Sequence, residues 1–315
     1  MLLENRPQNF HNFIGQKKLV LTLQAMIKSS IHRKVVLPHI LLYGPPGMGK
    51  TTLATIIANE SKQQIHYVQG SNIEKKADII NILSVINEND IVFIDEIHSI
   101  NKNIVEFLYN AMEDFVFDLI IGVDGNSRAM RMKIKPFTLI GATTKLSEIT
   151  QPLKDRFGYI GRLNSYSTED IIKILINSAK VLKIPIENDY FNLIASYSRA
   201  TPRLANHLLS RIYDFAISLN DSIINNKIIH KTFKLLDLYE YGLNKDHLEY
   251  LNILKGFKQK CVSLDTICGL ISHTKETITN EIEPILLYLG LIQKNSRGRK
   301  INQNGIDYLS RQKYK

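Results

Sequence analysis

The sequence predicts an α/β protein in which a parallel-sheet domain is followed by a small all-helical domain and a winged-helix domain. Residues 1–166 alternate strand-like and helix-like segments, as a parallel sheet requires. Residues 167–239 show helical spacing only. Residues 240–315 contain three helical stretches and then LIQKNSRGRKIN (291–302), which has two strand-like halves around a Ser-Arg-Gly turn. Helices followed by a basic hairpin are typical of a winged helix.

Three apolar segments are predicted to be strands of the sheet. They are HILLYG (39–44), IVFIDE (91–96) and FTLIGATT (137–144). The alternation is completed by a shorter strand, IHYVQG (65–70), and by helices over 51–60 and 103–114. In the helical domain, SYSTED (165–170) offers an N-cap with acids in the first turn of the next helix.

The alternation breaks between Phe115 and Pro136. VFDLIIG and MRMKI are strand-like, and the turn-rich VDGNSRA between them contains the hairpin signal Asp124-Gly125. A hairpin over 116–134 that is inserted into an α/β domain is expected to project from it. It is either an ordinary edge hairpin or a contact element, and the residues alone leave both open.

The composition is that of an ordinary globular protein, with 44% hydrophobic and 22% charged residues. No apolar run approaches the roughly 18 residues that a membrane span needs, and the N-terminus does not resemble a signal peptide. Cys261 and Cys268 fit no zinc or disulfide pattern, so a cytoplasmic protein with reduced thiols is expected. The net charge of +10 favours an anionic partner, and +6 of it lies in the last 22 residues.

The most specific motif is GPPGMGKT, which begins at Gly44 and fits G-x-x-x-x-G-K-[ST] at every fixed position. A strand precedes it and a helix follows, which is the required context. Its glycines (Gly44, Gly47, Gly49) let the backbone curl around an anion, and the helix N-terminus adds positive potential. Lys50 is expected to reach the β- and γ-phosphates of ATP, and the Thr51 hydroxyl to bind Mg²⁺.

A pair of acidic residues supplies the second half of this site. The apolar strand IVFIDE delivers Asp95 and Glu96 to its carboxyl end, where open α/β sheets bind ligands. Asp95 is predicted to hold Mg²⁺ through water, and Glu96 to orient and deprotonate the attacking water. A lone Asp-Glu pair is usually a helix cap, but the phosphate loop about forty residues earlier favours the catalytic interpretation.

Across nearly its whole length the chain resembles the RuvB family of AAA+ ring ATPases. The resemblance lies in RPQNFHNFIGQ, HILLYGPPGMGKTTLATIIANE, IVFIDEIH, LYNAMEDF, PFTLIGATT, PLKDRFG, TPRLAN and SRGRK, in the family's order. It implies a homohexameric ring around duplex DNA that uses ATP and Mg²⁺ to drive branch migration of Holliday junctions in recombination, DNA repair and the SOS response. It also implies a RuvA-like junction-binding partner, contacted through the 116–134 hairpin, and a RuvC-like resolvase.

The resemblance also implies roles for residues that spacing alone leaves ambiguous. Arg156 is implied to be an arginine finger that acts in trans on a neighbour's nucleotide, Thr144 to be a sensor beside the γ-phosphate, and Arg203 to be a sensor in the lid. Further nucleotide-binding residues are implied to be Arg6, Thr52, Glu113, Asp114, Phe115 and Tyr166. The implied DNA-backbone contacts in the wing are Lys294, Arg297 and Arg299.

The chain departs from the family pattern at several positions. Lys154 and Lys294 stand where the family usually has arginine, and Ala200 stands where it has glycine. In the helical domain, arginine is common at the positions of His207, Ser210 and Tyr213. The hairpin tip VDGNSRAM also differs, which puts the strength of docking to a RuvA-like protein in doubt.

Three other functions compete with a branch migration motor. A clamp loader shares the ATPase core but carries Ser-Arg-Cys at the finger and a helical collar, whereas this chain has Asp-Arg-Phe and a winged C-terminus. A two-lobed helicase needs a second ATPase lobe, for which 315 residues leave no room. A nucleotide-regulated DNA-binding switch with little turnover has no need of Glu96. Stimulation of ATP hydrolysis by DNA discriminates a motor from such a switch.

Overall fold

The computed structural model of the chain describes residues 6–121, 128–258 and 260–312. These residues group into two compact units. One holds the chain as far as Ile184 together with Ala200–Asn206, and the other holds Pro185–Arg199 and the chain from His207 onward. Over the described ranges, no helix is both long enough and apolar enough to cross a bilayer.

Strands and helices alternate through the first unit, and helices dominate the second. In chain order the strands are β1 (Ile40–Tyr43), β2 (Ile65–Gln69), β3 (Ile91–Asp95), β4 (Val116–Ile121), β5 (Arg128–Lys133), β6 (Thr138–Thr143), β7 (Tyr159–Arg162), β8 (Ile292–Asn295) and β9 (Gly298–Ile301). The helices are α1 (Lys17–Arg33), α2 (Lys50–Ser61), α3 (Lys76–Ser84), α4 (Lys102–Glu113), α5 (Gln151–Asp155), α6 (Thr168–Val181), α7 (Asp189–Ser196), α8 (Pro202–Leu219), α9 (Asn226–Leu235), α10 (Lys245–Gly256), α11 (Leu264–Cys268), α12 (Lys275–Thr277), α13 (Glu283–Tyr288) and α14 (Gln303–Gln312).

The predicted parallel sheet is confirmed. Five strands pair in the order β2-β3-β6-β1-β7, and every pair is parallel. All six residues of β6 are buried, which requires apolar cover on both faces. Side chains of α3 and α4 form one buried cluster with β3 and β6, and α2 also contacts β3 and β6. Because β6 lies between β1 and β3, the carboxyl ends of these three strands meet at one edge.

Several elements were not named individually from the sequence, among them α1, α3, β7 and α14. β7 pairs with β1 from Ile40↔Tyr159 to Tyr43↔Arg162 and completes the edge of the sheet. α14 follows the wing and buries Tyr308 and Leu309. In contrast, the predicted start of α6 is confirmed, because the Ser167 side chain accepts a hydrogen bond from the Asp170 backbone N–H at 3.1 Å.

The inserted segment forms the predicted hairpin of β4 and β5, paired from Val116↔Lys133 to Ile121↔Arg128. The buried Phe117 ring stacks on Phe107 of α4 with centroids 4.6 Å apart. The base of the hairpin is therefore anchored to the domain by an aromatic pair. The tip with Asp124-Gly125 lies outside the described residues.

Candidate functional site

The loop between β1 and α2 has the backbone shape of a phosphate cradle. Gly44 and Gly47 have φ of 149° and 77°, which side chains rarely adopt. A Cβ on Gly44 would lie 2.4 Å from the Leu163 carbonyl oxygen, and one on Gly47 would lie 2.9 Å from Thr201 Cγ2. Gly49 is the N-cap residue of α2, so the loop ends at a helix N-terminus. This geometry fits a polyphosphate, which helix termini and inward-pointing amides favour.

Lys50 places its ammonium group inside this loop. Its side chain is buried, and Nζ donates to the carbonyl oxygens of Gly44 and Pro45 at 2.8 and 3.1 Å. Burial lowers the pKa of the Lys50 amine, while the negative charges of Glu96 and Asp95 act in the opposite sense. Thr51 and Thr52 follow in the first turn of α2.

The two acidic residues lie at the carboxyl end of β3. Asp95 is the last residue of the strand, and its Oδ1 accepts a hydrogen bond from the Glu96 backbone N–H at 3.0 Å. Glu96 has a left-handed backbone with φ 49° and ψ 49°, a strained conformation that is concentrated at functional sites. The described residues contain no cluster of three side chains able to hold a metal by themselves. Thr51 and Asp95 instead fit Mg²⁺ held by few side chains together with substrate phosphates.

Thr144 contacts the carboxylate of Glu96 directly. Its backbone N–H and its hydroxyl donate to Glu96 Oε2 at 3.4 and 3.2 Å. The imidazole of His98 reaches the same oxygen, with Nδ1 3.1 Å from Oε2. His98 was missed by the sequence analysis, although it stands in the quoted segment IVFIDEIH. A histidine two residues after a candidate base was the available signal.

On the other side of the loop lie residues of the predicted lid. A Cβ on Gly47 would come within 3.0 Å of Arg203 Cβ, so the start of α8 lies against the phosphate loop. The Tyr166 hydroxyl donates to the Met48 carbonyl oxygen at 3.1 Å, and burial raises the pKa of this hydroxyl. Arg6 is exposed and has no described side-chain contact that would link it to the loop.

Arg156 lies beside Glu113, at the end of α4. Its Nη2 is 3.1 Å from Glu113 Oε2, and its guanidinium lies 4.4 Å from the centroid of the Tyr109 ring. Asp114 is the C-cap residue of α4. Phe115 has φ 56° and packs edge-on against the Phe137 ring. No described contact joins Glu113, Asp114 or Phe115 to this chain's own phosphate loop.

The three basic wing residues that were predicted to contact DNA have different surroundings in the structure. Arg299 Nε donates to Glu283 Oε1 at 2.6 Å, and Lys294 Nζ lies 3.2 Å from Glu283 Oε2. Tyr250 also donates to this carboxylate, at 2.9 Å, and the Glu283 side chain is only 1% exposed. Burial by itself raises the pKa of Glu283, but the bonds from Arg299, Tyr250 and Lys294 outweigh it and lower the pKa. Arg297 is exposed at the turn.

The chain is similar to the RuvB family along almost its entire length. The model described as the P-loop domain of Holliday junction DNA helicase RuvB matches residues 5–163. The RuvB AAA lid domain matches residues 166–239, and the RuvB C-terminal winged helix domain matches residues 240–310.

Full-length relatives agree with these matches. The Holliday junction branch migration complex subunit RuvB of Mycoplasmopsis synoviae is 66% identical over 309 residues, which cover 98% of each chain. The subunit of the same name from Mycoplasma genitalium is 40% identical, covering 98% of this chain and 99% of the relative. The solved Thermotoga maritima RuvB Holliday junction branch migration motor is 34% identical, with a TM-score of 0.82 over 98% of both chains. On sequence, domain order and fold alike, the chain belongs to the RuvB family.

Proposed function

We propose that the chain is the ATP-hydrolysing motor subunit that drives branch migration of Holliday junctions, as a homohexameric ring on duplex DNA. The observation that carries the hydrolytic part is the pairing of Glu96 with Thr144 at the same sheet edge as the phosphate loop. The names of the full-length relatives support the junction as substrate. A nucleotide-regulated switch has no use for a carboxylate held in this way.

Each residue of the site has a distinct task in this proposal. The loop amides and Lys50 bind the phosphates, and Mg²⁺, held by Thr51 and Asp95, neutralises charge on them when bound. Glu96 accepts the proton of the attacking water. Arg156 acts on the nucleotide of the next subunit. Glu113, Asp114 and Phe115, at the end of α4 near Arg156, contact the same nucleotide. Additional contacts to the nucleotide come from Arg6, Thr52, Tyr166 and Arg203.

The remaining parts of the chain bind the other macromolecules. The wing contacts DNA phosphates, which give affinity without sequence preference and make binding depend steeply on salt. The 116–134 hairpin docks a RuvA-like protein that holds the junction, and a RuvC-like resolvase acts on the same complex. The protein works in the cytoplasm as a helicase in DNA recombination and repair, including the SOS response.

The test is branch migration of a synthetic four-way junction with ATP and Mg²⁺, with and without the cognate RuvA-like protein. We expect conversion into the two duplex products, and loss of conversion in Lys50→Ala, which removes the ammonium group from the phosphate loop. Hydrolysis that DNA stimulates without any conversion would reject the junction as substrate and favour a clamp-loader-like role. Absence of DNA-stimulated hydrolysis would favour the nucleotide-regulated switch.

Substitutions of the two wing arginines, Arg297 and Arg299, should have different effects, because their surroundings differ. Arg297→Ala should reduce the slope of log affinity against log salt by about 1, with no change in melting temperature. Arg299→Ala should instead lower the unfolding free energy of the winged-helix domain by about 3 kcal/mol, because it removes the main partner of the buried Glu283 carboxylate. Salt titrations on a duplex and thermal unfolding measure the two effects, and Arg297→Lys is the matched control. A stable Arg299→Ala protein with a reduced slope would make Arg299 the phosphate contact.

A further inference from the structure

His98 is held beside the candidate catalytic base by the local backbone. It is the middle residue of the short helical turn Ile97–Ser99, which follows directly on the left-handed Glu96. That reversal brings the imidazole back onto the Glu96 side chain, with Nδ1 3.1 Å from Oε2. The His98 side chain is 12% exposed, so water is largely kept from competing for this contact.

Two oxygen atoms lie close to Nδ1 of His98. An ionised carboxylate only accepts hydrogen bonds, so Nδ1, which lies 3.1 Å from Glu96 Oε2, can donate to Glu96 only when it carries a proton. Nδ1 also lies 3.0 Å from the Thr143 hydroxyl oxygen. On the far side of the ring, Nε2 is 4.0 Å from Glu148 Oε2, which exceeds hydrogen-bond distance. Because the Thr143 hydroxyl can accept a hydrogen bond from Nδ1 as well as donate one to it, a proton on Nδ1 is compatible with both contacts.

The close polar contacts of the Glu96 carboxylate are arranged asymmetrically. The backbone and hydroxyl donors of Thr144 and Nδ1 of His98 all approach Oε2. Among the described contacts of the Glu96 side chain, none ends on Oε1. Oε2 thus has neighbours in the residue after β6 and in the turn after β3, whereas Oε1 remains to accept a proton.

We propose that His98 is a positioning residue for ATP hydrolysis, whose Nδ1–H, together with Thr144, fixes the Glu96 carboxylate so that Oε1 faces the attacking water. This inference rests on the proposed ATPase function. Positioning matters because a displacement of about 1 Å in a reacting group costs about 10²-fold in rate. Without this contact, ordering the glutamate side chain for the reaction also costs conformational entropy.

The kinetic test compares three variants in DNA-stimulated ATP hydrolysis by the full chain. His98→Ala should lower kcat by about 10²-fold and change the affinity for ATP little, because His98 contacts the base and not the phosphate loop. His98→Asn should recover most of the lost rate, because its amide N–H can occupy the place of Nδ1–H. The matched control is His66→Ala, which removes another histidine–carboxylate pair, with Nε2 2.9 Å from Asp90 Oδ2, at the opposite end of the sheet, and should keep the wild-type kcat.

Kinetic and NMR results can each overturn the proposal. A wild-type kcat in His98→Ala, or a loss of ATP affinity that accounts for the whole effect, excludes positioning of Glu96. Independently of turnover, ¹⁵N NMR of histidine-labelled protein should show a proton on Nδ1 of a signal that disappears in His98→Asn. An unprotonated Nδ1 would overturn the proposal even in an active enzyme. Failure of the wild-type chain to hydrolyse ATP would count against the proposed function, while the Nδ1 result would still test the His98 contact.

Discussion

Replacing Glu96 by glutamine should reduce ATP hydrolysis by about 10²–10⁴-fold, the contribution of a general base, while ATP binding is retained. Glutamine has the same shape, and its carbonyl oxygen can accept the bonds from Thr144 and keep the contact with His98 that Oε2 makes. Its amide nitrogen, however, has no lone pair available to take a proton from water. The variant should therefore keep the geometry of the site and lose only the base.

Steady-state hydrolysis with DNA and equilibrium binding of a fluorescent ATP analogue measure the two halves of this prediction. Glu88→Gln is the matched control, because Glu88 is exposed in the turn before β3 and lies at the opposite end of that strand from Glu96. Normal hydrolysis by Glu96→Gln would show that another group takes the proton. A loss of both binding and hydrolysis would instead indicate that Glu96 supports the phosphate loop.

The parts of the fold that follow a local pattern could be predicted from the sequence. The phosphate loop is contiguous, and the central strands are apolar runs that end in Asp95 and in Thr143. β7 escaped prediction because it is four residues long and has exposed positions, so its pairing with β1 and not its own composition makes it a strand. α14 escaped because a largely polar segment becomes helical by burying Tyr308 and Leu309 against the winged unit.

The sequence and the resemblance named residues of the candidate site but not the contacts between them. The contact between Thr144 and Glu96 joins β6 to β3, so only the strand order shows it. The resemblance implied a DNA contact for Arg299, and only the structure shows that its side chain also donates to a glutamate sixteen residues earlier in the chain. Glu283 is 1% exposed, and an acid without partners is costly to bury, but this burial is seen only in the structure.

Arg156→Ala should reduce ATP hydrolysis by the assembled ring about 10³–10⁵-fold and leave ATP binding mostly intact. The guanidinium of Arg156 contacts Glu113, the Tyr109 ring and the Pro152 carbonyl oxygen, so it belongs to the edge formed by α4 and α5 and not to its own phosphate loop. We therefore expect Arg156 to stabilise transition-state charge at a neighbour's nucleotide. The fold should survive, because a partly exposed ion pair contributes about 1 kcal/mol or less.

Mixing two inactive variants tests whether the finger acts in trans. Arg156→Ala subunits keep the phosphate loop, and Lys50→Ala subunits keep the finger. In a randomly mixed ring about one quarter of the interfaces combine an intact loop with an intact neighbouring finger, because each head-to-tail interface draws on two subunits. We therefore expect the mixture to recover DNA-stimulated hydrolysis that neither variant shows alone. Arg33→Ala, an exposed arginine at the end of α1, serves as the control for lost charge. If rings form and the mixture stays inactive, the expected complementation between loop and finger of neighbouring subunits fails.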